Sequence, residues 1–185
     1  MNINITRSRR KTLSVRITPT GDLDVRAPLG LPRRDIEQFL EEKRDWIETH
    51  RQQVLSQTKA GRERPLTREH LETLKELARE PIWESLQKYA PILGVTYGTV
   101  TLRCQKSRWG SCSSKGNLNF NCLLALAPRS VLEYVVVHEL AHRKQMNHSA
   151  AFWQEVARAK PDYKKDLQWL KANGGILMAR AAEGK

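Results

Sequence analysis

The sequence predicts an α+β fold, and three observations carry that prediction. Apolar and polar residues alternate between residues 12 and 27 across a proline-glycine turn. Apolar residues recur at helical spacing from Pro32 and again from Thr67. Further on, one helical run is apolar on several sides and contains His138-Glu139-Leu140-Ala141-His142. A period of two marks strands and a period near 3.6 marks helices. At 185 residues there is room for one domain, or one domain with a small appendage.

Residues 3–29 read as β. Leu13, Val15 and Ile17 alternate with polar residues, as do Leu23 and Val25, and Pro19-Thr20-Gly21-Asp22 is the turn of a hairpin over 12–27. Pro32 opens a helix in which Ile36, Phe39, Leu40, Ile47 and Val54 keep helical spacing to about Ser56. Residues 58–66 read as a linker, separating an N-terminal hairpin-and-helix subdomain (1–57) from a core over 67–175. A second long helix starts near Thr67, is kinked or restarted at Pro81, and ends before Gly94. Val100 and Leu102 predict a strand to about Gln105, Lys106–Gly116 a polar loop, and Asn117 the start of another strand, together a small antiparallel sheet. Pro128 opens the helix that carries the His-Glu pattern. Asn147 is a candidate left-handed terminator, Ser149 the N-cap of a helix over 150–160, and a last helix runs from Pro161 to about Ala172. Gly174-Gly175 then predicts a flexible tail over 176–185.

On a helix, His138 and His142 lie one turn apart on one face, so both imidazoles can reach one metal ion. Glu139 is rotated from them by about 100° and can approach a metal-bound water without being a ligand. His148, six residues after His142, can return as the third ligand, and three protein ligands with one open position describe a catalytic zinc site. Glu155 on the following helix is the alternative third ligand. Cys112 is expected to be a small buried thiol rather than a nucleophile, since a zinc site supplies its own.

The net charge is +12, with 32 Lys and Arg against 20 Asp and Glu. No acid occurs between Ser85 and Leu132, where Lys88, Arg103, Lys106, Arg108, Lys115 and Arg129 fall. A field of one sign beside a metal site favours an anionic substrate or partner. Nucleic acid is a partner the charge permits, but no reader motif supports it. No apolar run approaches the ~20 residues needed to span a bilayer, and no secretory signal opens the chain. Cys104, Cys112 and Cys122 are odd in number and lack metal-binding spacing, which predicts free thiols in a reducing cytoplasm. The oligomeric state is not encoded in any of these features.

His138-Glu139-Leu140-Ala141-His142, the Asn147-His148-Ser149 turn, Phe152-Trp153 and the upstream Arg108-Trp109-Gly110-Ser111-Cys112-Ser113 together resemble the YgjP-like (DUF45) family of zincin-type metal-dependent hydrolases. The resemblance spans roughly residues 5–173. It implies a zincin-like core, zinc held by His138, His142 and His148, and Glu139 as general base. The His138-to-His148 spacing also equals that of HExxHxxGxxH enzymes, but Gln145 stands in place of their glycine.

The reading is a zinc-dependent hydrolase, first a metallopeptidase, that uses a zinc-bound water activated by Glu139. Arg108 is the candidate donor to the developing oxyanion. Arg103, Lys106 and Asn119 are candidate substrate contacts, and either the strand at Asn117–Cys122 or its partner at 99–105 is a candidate edge for pairing with an extended peptide. The alternative is a metal-dependent phosphohydrolase acting on nucleotides or another anionic small molecule, in which the basic residues contact phosphate. A nucleic-acid-associated protease ranks last.

Overall fold

The computed structural model describes residues 1–63, 65–105 and 107–182. These form six α-helices and two three-stranded sheets, in two compact units that divide between Ala60 and Gly61.

In the first unit, β1 (Ile3–Ser8), β2 (Ser14–Ile17) and β3 (Leu23–Pro28) form a sheet of order β1-β3-β2. β2 and β3 are the expected hairpin, turned at Gly21, whose φ of 79° suits a residue without a side chain. β1 pairs with β3 in parallel. Leu23, Val25 and Ala27 alternate inward and pack with Ile36 and Ile47. The single helix expected over 32–56 is two, α1 (Arg33–Glu42) and α2 (Arg44–Arg62), broken at Lys43. The break is one residue long, so it leaves the apolar period intact.

Helix α2 also continues through most of the stretch read as a linker. Gly61 is there for close packing: a Cβ on it would collide with Ala179 and with the Ile176 carbonyl. Glycine can mark a close backbone approach as well as a flexible joint.

The second unit is built around α4 (Arg129–Ala141). Val131, Leu132, Val136, Val137 and Leu140 point in several directions from this helix and all are buried. Around it lie α3 (Arg68–Leu93), α5 (Ala150–Ala159), α6 (Tyr163–Ala182) and a sheet of β4 (Val100–Arg103), β5 (Gly110–Cys112) and β6 (Leu118–Asn121). Leu118 and Phe120 of β6 are fully buried in the same core as Ile82, Leu86, Phe152 and Val156. Helix α3 is continuous through Pro81 and stops where Gly94 turns left-handed, at φ 65°.

Several expectations are corrected here. The second sheet is mixed rather than antiparallel, of order β4-β6-β5, with β4 parallel and β5 antiparallel to β6. The expected polar loop conceals β5, so the antiparallel neighbour of β6 is β5 and not β4. Helix α6 runs on through Gly174-Gly175 to Ala182, because Gly174 is a notch for the Trp109 indole, which a Cβ would approach to 3.1 Å. Asn147 is not left-handed; no non-glycine residue described has positive φ. Helix α4 instead ends in a tightened turn, with Arg143 N–H bonded to Leu140 O and Lys144 N–H to Ala141 O. Cys104 and Cys122 are joined as a disulfide, leaving Cys112 free, so the expectation of three thiols does not hold. No described helix is long and apolar enough to cross a membrane.

One charge network ties the helices of this unit together. The Glu133 carboxylate on α4 accepts a 2.7 Å hydrogen bond from the Tyr89 hydroxyl on α3, and Lys160 Nζ lies 3.6 Å from it. Burial alone would raise the Glu133 pKa, but Tyr89 and the cations of Lys88, Lys160 and Arg129 outweigh burial and hold it below its usual 4.5. A depressed carboxylate pKa contributes stability above the unfolded-state value, and that contribution is lost as pH falls through the folded-state value. Urea midpoints of the wild type should therefore fall as pH drops from about 4.5, and Glu133→Gln should flatten that decline. Parallel curves for the two proteins would show that the network adds nothing.

Candidate metal centre

The end of α4 and the turn after it bring three histidines together. His138 sits in the last turn of α4 and His142 is its C-cap residue. The chain then reverses, and Ser149 starts α5 by accepting a hydrogen bond from the Phe152 N–H. That cap leaves His148 at the mouth of the turn, facing back. One ring nitrogen from each of His138, His142 and His148 lies within 4.8 Å of the others, and His138 Nε2 and His148 Nε2 are 3.0 Å apart. Phe152, fully buried, is the floor beneath them, its ring centre 4.6 to 4.9 Å from each imidazole. Trp153 stacks on His148 and on Tyr163.

This donor set fits a divalent metal ion. His142 Nδ1 lies 3.0 Å from the Gln145 carbonyl, which makes Nδ1 the protonated nitrogen and leaves the Nε2 lone pair inward. Gln145 thus orients the His142 ring through its backbone. Burial, with the neighbouring His142 and His148, pushes the His138 pKa down to about 3, so this imidazole is neutral and its lone pair is free. His138 Nδ1 is buried without a partner. Three convergent imidazoles are a donor set of the kind that zinc and other first-row divalent metals take.

The Glu139 side chain lies against Gly110 of β5. It is 5% exposed, and burial raises its pKa to about 8. Beside it opens a cavity of about 390 Å³. β5 and the segment before it supply Ser107, Arg108, Trp109 and Gly110; α4 supplies Tyr134, Val135, His138 and Glu139; α6 supplies Leu167, Leu170 and Lys171. Burial pushes the Tyr134 phenol up to about 12, so it keeps its proton.

Among the candidates from sequence, His138, His142, His148, Glu139 and Arg108 come together. Arg103 does not: it lines a separate cavity with Arg68 and Leu71. Lys106 lies outside the described residues. Asn119 is on the central strand β6 and donates to Ser111 Oγ at 3.3 Å. Neither strand edge is β6, therefore; the edges are β4 and β5. Glu155 is outside the histidine group, held by Arg158 at 2.7 Å and Lys144 at 3.2 Å. Cys112 is half-buried, and burial raises its thiol pKa against the opposing pull of Arg143.

Two cations of the basic stretch, and Arg143 beyond it, are engaged by acids or backbone carbonyls. Arg129 pairs with Glu84, Lys88 approaches Glu133, and Arg143 donates to the carbonyls of Thr96 and Ser114. Tyr134, Leu167, Leu170 and Lys171 were not among the sequence candidates. Tyr134 could have been found, since it stands one turn before His138 on the same face. The α6 residues carry no local signal.

A family model for the YgjP-like metallopeptidase domain matches residues 11–73 and 62–173. Two archaeal crystal structures are similar over about half of the chain. The metallopeptidase zymogen of Pyrococcus abyssi abylysin is 26% identical, with 49% of this chain and 92% of that chain covered and a TM-score of 0.45. The metallopeptidase zymogen of Methanocaldococcus jannaschii jannalysin is 20% identical, with 49% and 93% covered and a TM-score of 0.43. No curated protein matches the chain significantly. The family match runs through the histidines, Glu139 and the Arg108–Ser113 segment alike, and the chain belongs to the YgjP-like metallopeptidase family.

Proposed function

We propose that this protein is a zinc-dependent metallopeptidase of the zincin type, with His138, His142 and His148 as ligands and Glu139 as general base. The observation that carries the reading is a buried carboxylate beside three convergent imidazoles, on the wall of a cavity that an edge strand also lines. Zinc held by the imidazoles would supply Lewis acidity and lower the pKa of water toward ~7. Glu139 accepts a proton from the attacking water and returns it to the leaving amine. Burial raises its pKa, which makes the carboxylate a stronger base toward the water and lets it hold the proton until the amine leaves. Arg108 and the protonated Tyr134 are the donors available to an oxyanion developing in the cavity.

The peptide would lie along β5. Asn121 N–H donates to Trp109 O at 2.8 Å and Ser113 N–H to Asn117 O at 2.9 Å. Alternation along this antiparallel pair turns the N–H and C=O groups of Gly110 and Cys112 away from β6. An extended substrate can add there as a further strand. Trp109, Val135, Leu167 and Leu170 would receive an apolar side chain. A phosphohydrolase would draw instead on several cations converging at the metal; among the described residues the cavity is lined by two, Arg108 and Lys171, beside an apolar wall of Trp109, Val135, Leu167 and Leu170.

The direct test is a peptide panel, with nucleoside triphosphates as a second arm, run on zinc-loaded protein. Peptides should be cleaved and triphosphates left intact; the reverse would replace this reading with phosphohydrolysis. Glu139→Gln should keep its zinc, measured by atomic absorption, while kcat falls by about 10²–10⁴. Full activity in that variant would remove Glu139 from the mechanism. His148→Ala should weaken zinc binding by more than the ~100-fold that loss of an outer-shell partner can cost. Unchanged affinity in a competition titration would contradict the ligand set.

A further inference from the structure

β5 carries a glycine where it faces Glu139 of α4. A Cβ on Gly110 would lie 2.6 Å from Glu139 Oε1, 2.7 Å from its Cγ and 2.9 Å from its Cδ. Ordinary carbon contacts are ~3.5–4.0 Å, so none of these three could stand. Backbone conformation does not account for the glycine. The described glycines with positive φ are Gly21, Gly94 and Gly116, and Gly110 is not among them. An alanine could adopt this extended backbone; what it lacks is space.

The direction of the missing side chain follows from the strand register. Gly110 is paired with Phe120 and Cys112 with Leu118, and both partners are fully buried against the core that contains α4. Ser111, paired with Asn119, faces the other way. The carboxylate of Glu139 therefore occupies the room where a side chain at 110 would have been. Since Glu139 is almost wholly buried, its open direction is the cavity that it and Gly110 both line.

We infer that Gly110 is a positioning residue for Glu139: the absent side chain seats the carboxylate against β5, and any larger residue drives it into the space where substrate binds. The functional part of this inference rests on Glu139 being the general base; the steric part does not. Displacing a catalytic group by ~1 Å can cost 10²-fold in rate.

The test is a double-mutant cycle on zinc-loaded full-length protein, comparing Gly110→Ala, Glu139→Ala and the double variant. Thermal midpoints read the steric contact without reference to activity. Gly110→Ala should lower the midpoint in the Glu139 background and leave it unchanged in the Glu139→Ala background. Should Gly110→Ala alone fail to fold, the double variant should still fold. Where the wild type cleaves peptide, Gly110→Ala should lose kcat by ~10²-fold with KM within threefold and zinc content unchanged. An equal loss of stability in both backgrounds, a double variant that also fails to fold, or a wild-type midpoint and rate in Gly110→Ala would each overturn the inference. Absence of peptide cleavage by the wild type would count against the proposed function and leave the stability cycle interpretable.

Discussion

Three imidazoles with nitrogens within 4.8 Å of one another disfavour a positive charge on His138 and on His148. Holding them there requires a rigid frame, and most of the second unit serves as that frame. Helix α4 is buried along its length and fixes His138 and His142 one turn apart. The tightened turn after Ala141 and the Ser149 cap return His148 to the same point. Phe152 fills the space below all three rings. Loosening any of these would let the rings relax apart into solvent.

The electrostatics of the site differ from what the composition advertises. A net charge of +12 and a long acid-free stretch indicate a strongly positive surface around the motif. In the fold, Arg129 and Lys88 of that stretch lie against Glu84 and Glu133, and just beyond it Lys144 pairs with Glu155 and Arg143 bonds to backbone carbonyls. Burial and the neighbouring imidazoles lower the pKa of His138 and of His148, and burial holds Glu139 in a setting that favours its protonated form. The site is thus a largely apolar cleft containing few, well-placed polar groups, of the kind that small, specific binding sites use.

Features whose cause is local were legible in the sequence. Gly21 and Gly94 mark their turns through positive φ, Ser149 caps its helix through one hydroxyl, and the histidine spacing places two imidazoles on one helical face. Features set by tertiary contact were not. β5 is three residues of Gly-Ser-Cys with no apolar alternation of their own, and it is a strand because β6 and α4 hold it. Gly61, Gly110 and Gly174 read locally as breakers or loop residues, whereas each makes room for another element: Ala179, Glu139 and Trp109. The wall of the cavity from α6 came from a helix some thirty residues beyond the motif, with nothing in its own sequence to announce the contact.

The claim on which everything else turns is that the three imidazoles share one metal ion and leave a position open for chemistry. X-ray absorption at the zinc edge of the loaded protein measures this directly. The account predicts a first shell of three imidazole nitrogens and an oxygen near ~2.0–2.1 Å, with no sulfur. A sulfur scatterer near ~2.3 Å, which only a cysteine such as Cys112 could supply, or a shell with fewer than three imidazoles, would contradict it.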